Sequence, residues 1–142
     1  MQPEVDDSGL TQILRETRRI AVLGIKTEAH AAQAAFYVPQ YMDAAGYEIV
    51  PVPVYYPDVQ SILGRPVYRT LAAIPGAIDI VNVFRRPQDL PVHVADILGK
   101  RPRCVWLQLG IRNDDVATAL RAAGIIVVQD RCLMVEHRRL LG

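Results

Sequence analysis

Glycine, lysine and threonine follow the first apolar run of this chain, and together they indicate a phosphate-binding loop. The run 20–23 ends at Gly24, and Ile25, Lys26 and Thr27 come next. A short apolar run that ends in glycine is typical of a buried strand in a parallel sheet. Backbone N–H groups and a helix N-terminus converge where such a strand ends, and phosphate binds there. Because the further glycines of a dinucleotide fingerprint are missing, the loop predicts a phosphate-bearing ligand without identifying it.

A second cationic candidate, Arg85, follows the apolar segment 78–84. Arginine offers a two-pronged fork to phosphate, whereas Lys26 supplies a compact point charge. Each also has a simpler interpretation as a solvated charge at a strand end. The net charge of +1 gives no broad attraction to nucleic acid or to a membrane surface, so we expect neither as a partner. Any anion must be held by a local arrangement.

Histidines and cysteines are the remaining candidates for catalysis. His93 and His137 lie in segments that predict surface helices, so we expect both side chains to be solvated. His30 lies near the phosphate loop, but no neighbour in the sequence can pair with it as a general base requires. Cys104 and Cys132 lack metal-ligand spacing, and we interpret Cys132 as a packing residue. We therefore predict a binding protein, not an enzyme, with no bound metal.

Apolar runs and amphipathic segments alternate along the chain and must position these residues. Strands are predicted over 19–24, 47–52, 78–84, 103–110 and 125–128, and helices over 10–17, 36–45, 89–98, 113–123 and 133–141. Such alternation with short connections predicts an α/β fold, a Rossmann-like doubly wound sheet of about five parallel strands with helices on both faces. Pro51 and Pro53 remove ladder donors, so the C-terminal end of the second strand is expected to lie at an edge of the sheet or to leave the sheet.

Pro39 decides where the second helix is expected to begin. Proline is tolerated in the first turn of a helix but removes a hydrogen bond deeper inside it. Either the helix begins near Phe36, which leaves a long loop after Gly24, or it begins near Ala31 and kinks at Pro39. We favour the start near Phe36, because a phosphate cradle needs a long loop. Before the first strand, residues 1–17 are predicted to form a frayed tail and a short helix that Asp7 or Ser8 caps. Residues 18–142 then form the ligand-binding domain.

Ligands of doubly wound sheets bind beyond the carboxyl ends of the strands, where the winding reverses. Gly24, Pro53, Phe84 and the segment 108–110 would all lie at that edge. An NAD-binding protein usually has an acidic residue at the end of the second strand, and the first acid after this strand is Asp58. This disfavours an NAD(P) site without excluding another nucleotide. A scaffold or regulatory subunit that has lost its ligand also remains open.

Three motifs occur in a fixed order along the chain: VNVFRRP at 81–87, WLQLG at 106–110 and DRC at 130–132. Together they resemble the small, single-domain CoA-binding proteins, whose fold is similar to the CoA-binding domain of the succinyl-CoA synthetase alpha subunit. The resemblance covers residues 18–142. It implies that the chain binds coenzyme A, or an acyl-CoA, without an established reaction.

The resemblance also implies which residues contact the ligand. Backbone that faces the pyrophosphate would come from Gly24, Ile25, Lys26 and Thr27. The residues beside the adenosine would be Val52, Pro53, Val54 and Tyr55. The residues along the pantetheine path would be Val83, Phe84, Arg85, Gln108 and Gly110. An anion cradle at one end and a mostly apolar groove at the other is what a CoA site requires.

The expected compartment is the cytoplasm. Two cysteines form no disulfide framework, and the N-terminus shows no signal-peptide pattern. The expected partner is a small CoA ligand. A second copy of the chain, or a partner enzyme subunit, is compatible with the sequence but is not indicated by any motif in it.

Overall fold

The computed structural model describes residues 4–142, and most of this length lies in short strands and helices that alternate along the chain. The strands are β1 (Arg19–Leu23), β2 (Glu48–Val52), β3 (Ser61–Ile62), β4 (Arg65–Pro66), β5 (Ile80–Val83), β6 (Cys104–Leu107) and β7 (Ile126–Val128). The helices are α1 (Asp7–Glu16), α2 (Ala34–Ala44), α3 (Val94–Lys100), α4 (Asp114–Ala122) and α5 (Leu133–Leu140). Short 3-10 turns cover Glu28–His30, Pro87–Asp89 and Pro91–His93.

Five of the strands form one parallel sheet in the order β2-β1-β5-β6-β7. The predicted doubly wound α/β fold is therefore confirmed, and β2 lies at an edge as its prolines indicated. The hairpin of β3 and β4 is a separate antiparallel pair that the predicted strands did not include. Strands β5 and β6 are buried along their whole length because helices cover both faces of the sheet.

Each face of the sheet carries its own layer of helices. On one face, Ile97 of α3 and Leu120 of α4 pack in a cluster with Val81 of the sheet. On the other face, the apolar sides of α1, α2 and α5 share a cluster with Trp106. Side chains alternate across each strand, so neighbouring strand residues serve opposite layers. Trp106 is fully buried, as its place in a strand predicted, and its Nε1–H donates to the Arg131 carbonyl at 2.9 Å.

The first helix differs from prediction at its start. Asp6, rather than Asp7 or Ser8, is the N-cap, and its carboxylate accepts from the Gly9 N–H at 2.8 Å. Leu10 and Leu14 of α1 are buried in the cluster that contains Trp106. Residues 1–3 of the predicted tail lie outside the described residues. The proposed boundary at residue 18 stays a prediction.

Two other helix boundaries also differ. Helix α2 begins at Ala34 rather than near Phe36, so Pro39 lies inside it. Helix α3 begins at Val94 rather than at residue 89, after the 3-10 turns Pro87–Asp89 and Pro91–His93. The Asp89 carboxylate accepts from Arg86 Nε at 2.8 Å and does not cap the helix. It continues to Lys100, two residues beyond the predicted end at 98, and Arg101 ends it in the left-handed region at φ 54°.

The connections place the sheet's reversal of winding between β1 and β5. The chain leaves β1 to form β2 on one side and returns to form β5 on the other side of β1. Sheets of this kind open a crevice at the carboxyl ends of the two strands that flank such a reversal. We call this place the crevice. Every helix within residues 4–142 is too short or too polar to cross a membrane.

Candidate functional site

The two strands beside the crevice are in contact at their carboxyl ends. Gly24 follows β1 with a φ of +88°, and a Cβ built on it would lie 2.4 Å from the Phe84 carbonyl oxygen. The same position is 3.2 Å from Cδ of Arg85. Only glycine fits both the conformation and the space. Arg85 therefore lies directly over the end of β1, at the crevice.

The loop after Gly24 has some backbone donors engaged and others free. The Gly24 N–H donates to the Val52 carbonyl at 2.9 Å, and the Lys26 N–H donates to the Ala35 carbonyl at 3.1 Å. The N–H groups at 27–29 find no hydrogen-bond acceptor in residues 4–142. Ile25 is buried in the helical layer. The Ile25 N–H also finds no acceptor in residues 4–142. Of the four residues predicted to face a pyrophosphate, Gly24 and Lys26 therefore have engaged N–H groups, whereas Ile25 and Thr27 have free ones.

The charged side chains of this loop point to different partners. Lys26 Nζ donates to the Gln33 side-chain oxygen. The carboxylate of Glu28 accepts from the Leu63 N–H at 2.9 Å, which turns its negative charge to the β3–β4 turn. The loop therefore keeps a lysine cation with a neutral partner, while its acid is held by another segment.

Arg85 is the centre of a cluster at the other side of the crevice. Its side chain is only 13% exposed. Its Nε donates to His93 Nε2 at 3.3 Å, and Nη1 donates to the Tyr55 hydroxyl at 3.4 Å. The guanidinium carbon also lies 5.6 Å from the centre of the Tyr55 ring, within cation–π range. Asp89 is 3.8 Å from Nη2.

His93 corrects the prediction of a solvated histidine. It is half-buried, and this burial is the main reason that its pKa is lowered. The nearby Arg85 cation lowers the pKa further. Two 3-10 turns after β5 fold the chain back, so His93 meets a side chain eight residues earlier. No helical or strand periodicity joins positions eight apart in this way, and the sequence carried no signal for this contact.

The segment after β2 leaves the sheet and exposes an aromatic ring. Val52 and Pro53 are buried, whereas Tyr55 is 62% exposed. Tyr56, at a φ of 62°, packs its ring against that of His30, with the centres 5.6 Å apart and the planes tilted by 41°. This contact joins the loops after β1 and β2. This is where the adenosine-side residues were predicted, with Val54 exposed next to Tyr55.

One arginine holds this segment in place. The Arg69 guanidinium donates to the four carbonyl oxygens of Tyr55, Tyr56, Pro57 and Val59, at 3.1, 2.9, 3.3 and 2.7 Å. A guanidinium presents five donors in a rigid fork, which suits several acceptors at once. The backbone that carries the exposed Tyr55 ring is thus held by the Arg69 guanidinium.

The pantetheine-side residues lie along the same carboxyl edge, but two of them are engaged internally. Gln108 is 4% exposed, and its side-chain oxygen accepts from Asn82 Nδ2 at 3.3 Å and from the Leu133 N–H at 3.2 Å. The Gly110 N–H donates to an Asp130 carboxylate oxygen at 2.6 Å. Val83 is fully buried and Phe84 is half-buried.

Comparison with known proteins decides the family. A family model described as CoA binding domain matches residues 18–138. This chain belongs to the CoA-binding domain family. The resemblance drawn from the three motifs is therefore confirmed.

The relatives of this CoA-binding domain match nearly its whole length. It is 35% identical over 128 residues to YneT, an uncharacterized protein of Bacillus subtilis (strain 168), and the match covers 90% of this chain and 91% of YneT. It is similar to the structure of cell-free ID.343 from Thermus thermophilus, at 40% identity, a TM-score of 0.88 and coverage of 96% and 99%. A hypothetical protein from Pyrococcus horikoshii OT3 gives 30% identity and a TM-score of 0.87, with coverage of 100% and 99%.

The CoA-binding domain has a further cleft at the carboxyl ends of β6 and β7. Its volume is about 420 Å³, and its lining includes Leu109, Arg112, Arg131 and Cys132. Leu109 is largely exposed there, and the Cys132 thiol is half-buried. In the described part of the chain, no group of three or more His, Cys, Asp and Glu side chains could hold a metal ion.

His137 of the CoA-binding domain is a second correction. It was predicted to lie on a solvated helical face, but its Nδ1 is 2.8 Å from the Tyr41 hydroxyl, and the Tyr47 ring meets it edge-on at 5.7 Å. Burial lowers the pKa of His137. Because these tyrosines lie on the α2 side of the layer and far along the chain, the charged neighbours of His137 in the sequence concealed its packing.

Proposed function

We propose that this protein binds coenzyme A, or an acyl-CoA, at the carboxyl edge of its sheet and acts as a binding module without a reaction of its own. The close approach of Gly24 to the Phe84 backbone and the Arg85 side chain carries the proposal, because it places the Arg85 cation at the end of β1, where the following loop has free backbone donors. Membership of the CoA-binding domain family supports coenzyme A as the ligand.

The residues around the crevice fit a diphosphate. A phosphate needs N–H donors and positive charge, and backbone amides at the end of a strand commonly supply the donors. The loop after β1 supplies free N–H groups at 27–29 and the Lys26 ammonium. Arg85 lies over the end of β1, and its guanidinium retains donors on Nη1 and Nη2. Glu28 does not oppose the anion because the Leu63 N–H holds its carboxylate.

The two ends of the edge fit the rest of the ligand. On the β2 side, the exposed Tyr55 ring offers a flat apolar surface for an adenine. On the β6 side, Phe84 and the backbone of 108–110 would border the pantetheine arm. The cleft beyond them, with the exposed Leu109 in its wall, would receive the thiol or acyl end. The proposed ligand therefore runs across the sheet edge from β2 towards β6.

Calorimetric titration tests this proposal. The wild-type protein is titrated with coenzyme A, acetyl-CoA, NAD and ATP, and a thiol assay follows acetyl-CoA over the same period. We expect heat for coenzyme A and acetyl-CoA, little for NAD, and no release of free CoA thiol. Heat for NAD with none for coenzyme A would overturn the ligand, and steady thiol release would overturn the non-catalytic role.

A pair of neighbouring arginines provides the matched control. Arg85 lies at the crevice, whereas Arg86 is 70% exposed and pairs with Asp89 at 2.8 Å. Arg85→Ala should weaken coenzyme A binding about ten-fold, the usual loss for a charge-assisted contact. Arg86→Ala should leave it within about two-fold, since exposed ion pairs contribute little. Equal losses in the two variants would contradict the assigned position of the phosphate.

A further inference from the structure

We propose that His93, as a neutral imidazole, is a positioning residue that holds the Arg85 guanidinium ready for the ligand's diphosphate. This inference rests on the proposed function and adds a residue that does not itself touch the ligand. The observation behind it is the bond from Arg85 Nε to His93 Nε2 at 3.3 Å. Arginine can only donate, so the histidine nitrogen must accept, and the ring proton must lie on Nδ1.

The contacts of Arg85 leave one part of the guanidinium open. His93 takes the Nε–H, and the Tyr55 hydroxyl accepts from Nη1. Asp89, at 3.8 Å from Nη2, is too distant for a hydrogen bond and is held more closely by Arg86. The remaining donors of Nη1 and Nη2 form the fork that binds phosphate oxygens in pairs. A long side chain held by two acceptors also loses less rotamer freedom when the ligand arrives.

The charges that face His93 favour the neutral ring. Arg85 lies against it from the end of β5, and burial and this cation both lower its pKa. Asp89 and Asp96 act in the opposite direction, but both carboxylates have other partners. Asp89 accepts from Arg86, and Asp96 accepts from the N–H groups of Leu71 and Ala72 at 2.7 and 3.0 Å. The Tyr55 hydroxyl, from the segment after β2, binds the same guanidinium and carries no charge.

Protonation of His93 would undo this arrangement. An imidazolium cannot accept the Nε–H, and it would place a second cation 3.3 Å from Arg85 Nε. The guanidinium would then turn away from the crevice. Ligand affinity should therefore fall as the pH drops below the ordinary histidine range, and His93 should be the group responsible.

The experiment uses dephospho-CoA, which carries the diphosphate but lacks the separate ribose phosphate that titrates near neutral pH. Affinity is measured by calorimetry from about pH 5 to about pH 8 for the wild type, His93→Gln, His93→Leu, Arg85→Ala and the His93→Leu/Arg85→Ala double variant. Glutamine still accepts through its side-chain oxygen but does not titrate, whereas leucine does neither. Far-ultraviolet circular dichroism confirms that each variant is folded.

At neutral pH, His93→Leu should weaken binding about five- to ten-fold, and His93→Gln should stay within about two-fold of the wild type. The wild type should lose affinity at acidic pH, and His93→Gln should not. In the Arg85→Ala background, His93→Leu should cause no further loss, because the two residues act as a unit. Wild-type affinity in His93→Leu, or losses that add in the double variant, would overturn the inference while leaving the proposed function intact.

Nitrogen NMR of the ligand-free protein gives a readout that does not depend on binding. The His93 ring should show the neutral form with its proton on Nδ1, and its pKa should rise in Arg85→Ala, where the neighbouring cation is gone. A proton on Nε2 would overturn the inference directly. Absence of any heat from coenzyme A in the wild type would instead end the proposed function, and the role of His93 in binding would end with it.

Discussion

The backbone N–H of Lys26 donates to the Ala35 carbonyl oxygen at 3.1 Å, and this is the carbonyl that Pro39 leaves without a partner inside helix α2. In a helix, the N–H of each residue serves the carbonyl four residues earlier, and proline has no N–H to give. The helical defect and the loop after Gly24 therefore satisfy each other. Because Pro39 leaves the Ala35 carbonyl free, the loop can bond to the helix at this point.

Replacement of Pro39 by alanine should release this loop. Residue 39 then supplies an N–H that competes with Lys26 for the Ala35 carbonyl. We expect the Lys26 amide to exchange with solvent at least several-fold faster, as measured by hydrogen-exchange NMR, and coenzyme A binding to weaken. Gln40→Ala, at the exposed position next along the helix, is the control and should change neither quantity. Unchanged protection of the Lys26 amide in Pro39→Ala would show that the loop is held by other contacts.

Two glycines with nearly the same backbone conformation distinguish the cost of backbone strain from the cost of a steric clash when each is replaced by alanine. Gly24 has φ +88° and would place a Cβ 2.4 Å from the Phe84 carbonyl oxygen, whereas Gly124 has φ +85° and nothing within 4 Å. Gly124→Ala should cost about 1 kcal/mol of unfolding free energy, and Gly24→Ala about 3 kcal/mol or more. Urea unfolding measures both. Equal costs would mean that the ends of β1 and β5 are less closely apposed than described.

Asn82 carries a buried polar atom whose contribution can be measured. Its Nδ2 donates to the Trp106 carbonyl at 3.2 Å and to Gln108, while its Oδ1 is buried and has no partner among residues 4–142. Gln108 keeps its second donor, the Leu133 N–H, if Asn82 is lost. Asn82→Leu should therefore lie within about 1 kcal/mol of the wild type.

Asn82→Asp should behave very differently. It places a carboxylate against the carbonyl oxygen of Trp106 and the side-chain oxygen of Gln108, and it should cost about 3 kcal/mol or more at neutral pH. Guanidinium unfolding of the two variants provides the comparison. A loss in Asn82→Leu as large as that in Asn82→Asp would show that the amide bonds, rather than the absence of charge, stabilise this part of the sheet.

His137 predicts how stability depends on pH. Burial against Tyr41 lowers its pKa, so between the folded and unfolded pKa values the unfolded chain binds more protons than the folded one. Stability is then fully present above the ordinary histidine pKa and is lost as the pH falls through the folded value. His137→Gln should flatten this loss in urea unfolding compared at about pH 7.5 and about pH 5.5. The pKa of His93 is also lowered, so His93 accounts for part of the remaining slope of stability against pH. An unchanged slope in His137→Gln would exclude His137 as a source.

The strands were predictable because their residues act locally. Runs such as 20–23 and 104–107 are apolar on both faces, which is what a covered parallel strand requires, and the order of elements then dictates the topology. The start of helix α4 is equally local, because Asn113 caps it with an Oδ1 that accepts from the Val116 N–H at 3.1 Å. The start of helix α2 could not be predicted. The N–H that replaces the one missing at Pro39 comes from Lys26, eight residues before the helix begins.

The position of the site followed from topology, but its contacts did not. Gly24 and Arg85 are each the residue after or just beyond a strand end, so parallel pairing alone brings them to one edge. His93 and Tyr55 reach Arg85 through irregular turns, whose paths depend on tertiary contacts rather than on a repeating pattern. Which residues line the ligand stays a prediction that the titrations above will test.

Arg69 recognises main-chain oxygens and no side chain in the segment 55–59, and this separates the shape of that segment from its chemistry. Evolution or an engineer can exchange the residues displayed there while the same guanidinium keeps the backbone in place. The segment 55–59 can therefore carry other side chains on the same backbone, whereas replacement of Arg69 is the change that would move that backbone.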